Sequence, residues 1–267
     1  MPILTLDSVS LTYPGDEQPS ISNLSLTINE GEFIAVIGPS GCGKSSTIGL
    51  LAGLTVPTSG KLELNGLPIQ GPGPDRAIVF QDYSLFPWMT ALDNIVFALQ
   101  EAGRAKGEKA VQQAIELLDM VGLRNIHRKY PSELSGGMRQ RVAIARAFAL
   151  DAPVYLMDEP FGAVDARNRV SLQELLLRLW AGGSKKKTIF LVTHDIDEAL
   201  YLADRVVVFT PGPGRIRKIV EVPFPRARNR YLLIQDARYI DLRNEILSLI
   251  QHDILEELQA VEGGAGI

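Results

Sequence analysis

The stretch Gly38-Pro39-Ser40-Gly41-Cys42-Gly43-Lys44-Ser45 constrains this chain more than any other. It satisfies G-x-x-x-x-G-K-[ST] in full, follows the short apolar run 32–37, and opens a helix-like segment that ends near Gly53. Strand, glycine-rich loop and helix in that order make a cradle for phosphate. The glycines let successive backbone N–H groups wrap an anion, the helix N-terminus adds positive dipole, and Lys44 brings a point charge to the β- and γ-phosphates. Ser45 is placed to ligate Mg²⁺. Cys42 sits at a permissive position of the loop, with no redox role expected.

A chain of 267 residues fits one large or two small domains. Apolar residues at 46% and charged residues at 22% exclude disordered and collagen-like classes. The formal net charge of −4 argues against a nucleic-acid footprint over the whole surface. The single cysteine cannot form an internal disulfide, and the first residues lack the basic and apolar regions of a signal peptide, so a reducing, cytoplasmic setting is expected. The richest apolar stretch, 142–157, is broken by Arg146 and Asp151 and is no membrane span.

Alternating apolar residues over 3–13 and 21–28 predict early antiparallel strands, and 60–65 and 77–80 predict two more, joined by a loop over 66–74. Between 85 and 134 helical patterns dominate, with Val111, Ile115, Leu118 and Val121 predicted on one face of a helix. The runs 154–157, 188–192 and 206–209, separated by helix-sized segments, are the pattern of βαβ crossovers in a parallel sheet. From Pro223 the sequence reads as a linker carrying Arg226, Arg228 and Arg230, followed by an amphipathic pattern at Leu247, Ile250, Ile254 and Leu258.

Asp158 and Glu159 end the apolar run 154–157, at the sheet edge where α/β proteins bind ligands. Alone, such a pair reads as a solvated strand end. Beside the phosphate loop, Asp158 suits the Mg²⁺ shell and Glu159 suits a water attacking the γ-phosphate. Leu134-Ser135-Gly136-Gly137-Met138 opens a helix with a serine cap and accessible N–H groups, a second anion-binding helix start. One nucleotide needs one cradle, so the second site is expected to face ATP held by another copy.

These pieces, in this order over about residues 4–222, resemble the ATP-binding subunit of ABC transporters, with Leu134-Ser135-Gly136-Gly137 matching the signature motif. The resemblance implies an α/β P-loop NTPase core with an antiparallel β subdomain and an inserted helical subdomain. It implies an ATPase domain over 1–223, a helical insertion over about 85–150, and a short helical extension over 224–267. It also implies site roles. Gln81 looks like the Q-loop residue that touches Mg²⁺ and the attacking water, Tyr13 like the aromatic that stacks on adenine, and His194 like the switch histidine that reaches the γ-phosphate. His127 and His252 have no such context. Residues 162–165 look like the loop that crosses the dimer interface, with Asp165 its acidic member. In the implied dimer, Lys44, Ser45 and Ser46 of one chain and Ser135, Gly136, Gly137 and Asp165 of the other hold each ATP. Met138, Val164 and Ser46 depart mildly from the family pattern.

Within the family, 85–94, 192–200 and Pro211-Gly212-Pro213-Gly214-Arg215-Ile216 look similar to the nitrate, sulfonate and taurine importers. That resemblance implies transmembrane permease subunits, a second ATPase subunit that is the same or a related chain, a solute-binding protein acting indirectly, and peripheral attachment to the cytoplasmic face of the membrane. Gln81 and 86–89 are expected to border the groove that receives the permease. The tail is too short for the β-barrel regulatory domain of sugar-importer ATPases. Lys185-Lys186-Lys187 and the tail arginines read as a solvated surface. The alternative, a soluble ABC ATPase acting on nucleic acid or ribosomes, usually brings coiled-coil insertions or two cassettes in one chain.

Overall fold

The computed structural model describes residues 1–162, 164–182, 187–226 and 228–264, with side chains up to residue 251. Ala163, Lys185 and Lys186, and the side chains of His252, Ile254 and Leu258, lie outside the described residues. The elements in chain order are β1 (Pro2–Leu11), β2 (Ile21–Asn29), β3 (Phe33–Ile37), α1 (Lys44–Ala52), β4 (Ser59–Leu64), β5 (Leu67–Pro68), β6 (Arg76–Val79), α2 (Ala91–Glu101) and α3 (Gly107–Met120). After a 3-10 turn (Pro131–Glu133) come α4 (Gly136–Ala149), β7 (Val154–Asp158), α5 (Ala166–Ala181), β8 (Thr188–Val192) and α6 (Ile196–Leu202). The chain closes with β9 (Arg205–Phe209), β10 (Ile216–Glu221), α7 (Arg230–Leu233) and α8 (Ala237–Gly264). They form two compact units, residues 1–72 with 190–267, and residues 73–189.

In the first unit β2-β1-β4-β5 form an antiparallel sheet. The apolar residues of β1 change phase, from Leu4 and Leu6 to Val9 and Leu11, which a regular strand would send to opposite faces. Ser8 at φ 53° and Asn23 at φ 53° supply matched irregularities, so Leu11 pairs with Ile21 and Val9 with Leu24 and all four are buried. β9 runs antiparallel to β10 and parallel to β3. β3 is buried along its whole length, as a strand covered on both faces must be. The stretch 66–74 is a loop except for the two residues of β5, which pair with β4.

The second unit holds the parallel pair β6 and β7, with Ala77 opposite Tyr155 and Val79 opposite Met157. α4 packs on β6, and α2, α3 and α4 pack on one another. The expected face is buried at Leu118 and Val121 and half-buried at Ile115, but Val111 is 39% exposed and Ala110 and Ala114 take the buried positions beside it. Close approach of neighbouring helices selects the small alanines over the larger branched residue.

The tail is neither a linker nor a solvated charge run. Arg226 and Arg228 turn inward onto the backbone carbonyls of α6, and Arg230 lies over the Tyr201 ring. Lys187 likewise pairs with Asp151, its side chain mostly buried. Among the described residues no helix is long and apolar enough to cross a membrane.

Candidate nucleotide-binding site

β3 delivers the chain into the glycine loop, and α1 begins at Lys44. Gly43 caps α1 at φ 88° and offers no side-chain acceptor, so the first N–H groups of the helix are left for an anion. A side chain at Gly43 would also press within 2.8 Å of the Ser20 carbonyl. Lys44 is buried, and its Nζ donates to the carbonyls of Gly38 (2.9 Å) and Pro39 (2.8 Å). The ammonium is thus folded across the loop that it completes. Cys42 lies buried beside it, 3.7 Å from Nζ. Burial pushes the Cys42 thiol up, partly offset by Lys44. Tyr13 Oη donates to Ser46 Oγ at 3.1 Å, bringing the expected adenine-stacking ring to the start of α1.

The segment 211–216 supports this loop, a role that its glycine and proline content does not reveal. Gly214 N–H donates to Ser20, Ser22 N–H donates to Gly214, and a Cβ at Gly214 would lie 2.1 Å from the Cys42 carbonyl. Only a glycine allows that close approach.

β3 also sets the histidine loop. Thr193 N–H donates to the Val36 carbonyl at 3.1 Å, and the Thr193 hydroxyl bonds the buried Glu198 carboxylate. Asp195 N–H donates back to Thr193 Oγ1, and Asp195 Oδ1 caps α6 through Glu198 N–H. His194 stands exposed between these two fixed residues.

In the second unit Asp158 ends the buried strand β7 and Glu159 follows at φ 43°. Gln81 Nε2 approaches Glu159 Oε2 at 3.5 Å, so the structure brings together two residues 78 positions apart in sequence. Arg146 of α4 donates to the carbonyls of Ser84 (2.7 Å) and Tyr83 (3.3 Å), tying the loop after Gln81 to the helix that Ser135 opens. Burial holds the Arg146 guanidinium below its usual range. An arginine in a helix carries no signal of this contact in its sequence.

Ser135 caps α4 by accepting from Met138 N–H at 3.3 Å. Asp165 caps α5, accepting from Asn168 N–H (3.1 Å) and Asn168 Nδ2 (2.6 Å), which together hold its carboxyl below the ordinary carboxylate value. Asn168, not foreseen, also stands beside Gly137. Gly136 and Gly137 form the first turn of α4.

The protein-family model for the ABC transporter matches residues 21–162. The nitrate import ATP-binding protein NrtD of Synechococcus elongatus is 47% identical over 251 residues, 92% of this chain and 91% of that protein. The chain belongs to the ABC transporter family. The taurine import ATP-binding protein TauB of Chromobacterium violaceum is 45% identical over 252 residues, 93% of this ABC ATPase and 95% of that protein. A dimeric, post-hydrolysis structure of the ATP-binding cassette MJ0796, bound to ADP and Pi, matches with a TM-score of 0.74 and 31% identity, over 84% of this chain and all of that one. The α/β P-loop cassette is therefore the fold of this ABC ATPase, and ATP is its nucleotide.

Proposed function

We infer that this chain is the ATP-hydrolysing subunit of an importer that takes up a small anionic solute, such as nitrate, a sulfonate or taurine, through a separate membrane permease. The observation that carries the reading is its likeness, over nearly their whole lengths, to ATP-binding proteins named for nitrate and taurine import. It works peripherally at the cytoplasmic face of the membrane, and an extracytoplasmic solute-binding protein selects the cargo. Residues 1–223 make the ATPase domain, with 85–150 as its helical insertion and 224–267 as an extension.

The loop backbone of 38–44, Lys44 and Ser46 hold the phosphates, and Tyr13 stacks on adenine. Mg²⁺ supplies neutralisation of the charge shared by the β- and γ-phosphates. The Ser45 hydroxyl, the Asp158 carboxylate and the Gln81 amide are the hard oxygen donors that suit it, Asp158 through water. Glu159 orients and deprotonates the attacking water, and its contact with Gln81 supports a shared task. His194 reaches the γ-phosphate. Ser135, Gly136, Gly137 and Asp165 contact the ATP of the second subunit, a reading that the dimeric form of the similar cassette supports.

Affinity capture of the tagged chain from detergent-solubilised native membranes, with mass spectrometry of what co-purifies, tests the reading. A polytopic permease in stoichiometric amount is expected. Ribosomal or nucleic-acid partners without a permease would overturn it.

A further inference from the structure

We propose that the chain after β10 is a clamp on α6 that positions His194, with Asp197 as the positioning residue through which it acts. The proposal rests on the reading of His194 as the residue that reaches the γ-phosphate.

α6 has seven residues, too few to be stable by itself, so its placement depends on what grips it. It begins two residues after His194. At its start, Asp197 accepts from Tyr239 Oη at 2.7 Å and from Arg243 Nε at 2.9 Å, both on α8. At its end, Arg228 donates to the carbonyls of Leu200 (3.0 Å), Tyr201 (2.9 Å) and Ala203 (2.8 Å), and Arg226 donates to Leu202 at 2.6 Å. Near the same end, the Arg230 guanidinium lies 3.7 Å from the Tyr201 ring centre. The tail therefore holds both ends and one flank of this helix.

The other end of the clamp is anchored. Lys218 of β10 pairs with Glu245 of α8, α8 packs on β9, and Tyr239 and Ile246 are buried. A cavity of about 440 Å³ opens among Asp197, Tyr201, Leu233, Tyr239 and Arg243 beside the packing of α6 on α8, and the polar contacts at Asp197 bridge the two helices there. Between Asp197 and the histidine lie only Asp195, which caps α6, and Ile196, and on the far side Thr193 is fixed to β3. Glu198, next to Asp197 in the same turn, is bonded to the Thr193 hydroxyl, so a shift at Asp197 reaches the residues on both sides of His194.

The test uses the purified full chain, with ATP turnover, fluorescent-ATP affinity and thermal melting measured together. Asp197→Asn is expected to lower kcat about tenfold, the scale of a small misplacement of a reacting group, with nucleotide Kd and KM within about twofold. On a His194→Ala background the same change should cause no further loss of residual turnover, since nothing remains to be positioned. Tyr239→Phe removes one oxygen and its bond to a carboxylate, and should lower kcat about threefold with only a small fall in melting temperature, the chain staying folded at the assay temperature. Wild-type kcat in Asp197→Asn or in Tyr239→Phe overturns the clamp, as does a loss that multiplies fully on the His194→Ala background. Wild-type turnover in His194→Ala alone overturns the underlying reading of the histidine instead, so the two failures are distinguishable.

Discussion

Glu159 is held in the left-handed region at φ 43°, a conformation that costs a non-glycine residue on the order of 1 kcal/mol. Its carbonyl accepts from Gly162 N–H and its carboxylate meets Gln81, so local contacts keep a side chain of useful chemistry where glycine would be easier. Glu159→Gly is accordingly expected to raise stability by about 1 kcal/mol, read as a higher denaturant midpoint, while ATP turnover falls to background. Lys44→Ala should nearly abolish hydrolysis by removing the charge that faces the β- and γ-phosphates, and wild-type turnover in that variant would overturn the cradle. Asp165 offers a test by pH. Its folded-state pKa is depressed by Asn168, so its contribution is present above the unfolded value of 3.8 and is lost as pH falls through the depressed one. Asp165→Asn should therefore show a shallower loss of stability than wild type on acidification below about pH 4, followed by circular dichroism.

At the scale of elements, the grip of the tail on α6 has a stability of its own. Arg228 serves four carbonyls, those of Leu200, Tyr201, Ala203 and Phe224. Arg228→Ala leaves partly buried acceptors without that donor and should destabilise the fold by about 2 kcal/mol in chemical denaturation, more than an exposed arginine costs. These contacts also mark where sequence reading stops. The strand, loop and helix around Lys44 were legible because periodicity, glycine spacing and helix start all act within about twenty residues. Ser135 as a cap is local in the same sense, whereas the phase change between Leu6 and Val9 reads in the sequence as part of one alternating strand. Arg146, Arg228 and Asn168 were not legible, because an arginine bound to a distant carbonyl and one bound to water have the same spacing along the chain. The exposure of Val111 on α3 was not legible for a related reason, since helix approach favours the smaller Ala110 and Ala114 and hydrophobicity alone does not record size.

For the whole molecule, the candidate roles divide between the units: Tyr13, the phosphate loop and His194 belong to the first, and Gln81, Asp158, Glu159, Ser135, Gly137 and Asp165 to the second. A transporter ATPase needs an assembly state that ATP favours and ADP does not. A ligand shifts such an equilibrium only by its differential affinity, and moving it from 1:99 to 99:1 takes about 5.5 kcal/mol, or about half of that from each of two nucleotides. If the γ-phosphate supplies that difference, blocking its loss traps the assembly. Glu159→Gln should bind ATP, turn over slowly and elute as a dimer in size-exclusion chromatography with ATP, and as a monomer with ADP. Gly137→Ala in that background isolates the contact across the dimer. The nearest atoms to a Cβ at Gly137 belong to Asn168, at an ordinary 3.6 Å, and alanine is the better helix former, so the subunit itself should melt no lower than before. The added methyl would nevertheless stand at the helix start assigned to the partner's nucleotide. Loss of the ATP-dependent dimer at unchanged melting temperature is the expected result, and a dimer of undiminished affinity would remove Gly137 from the interface.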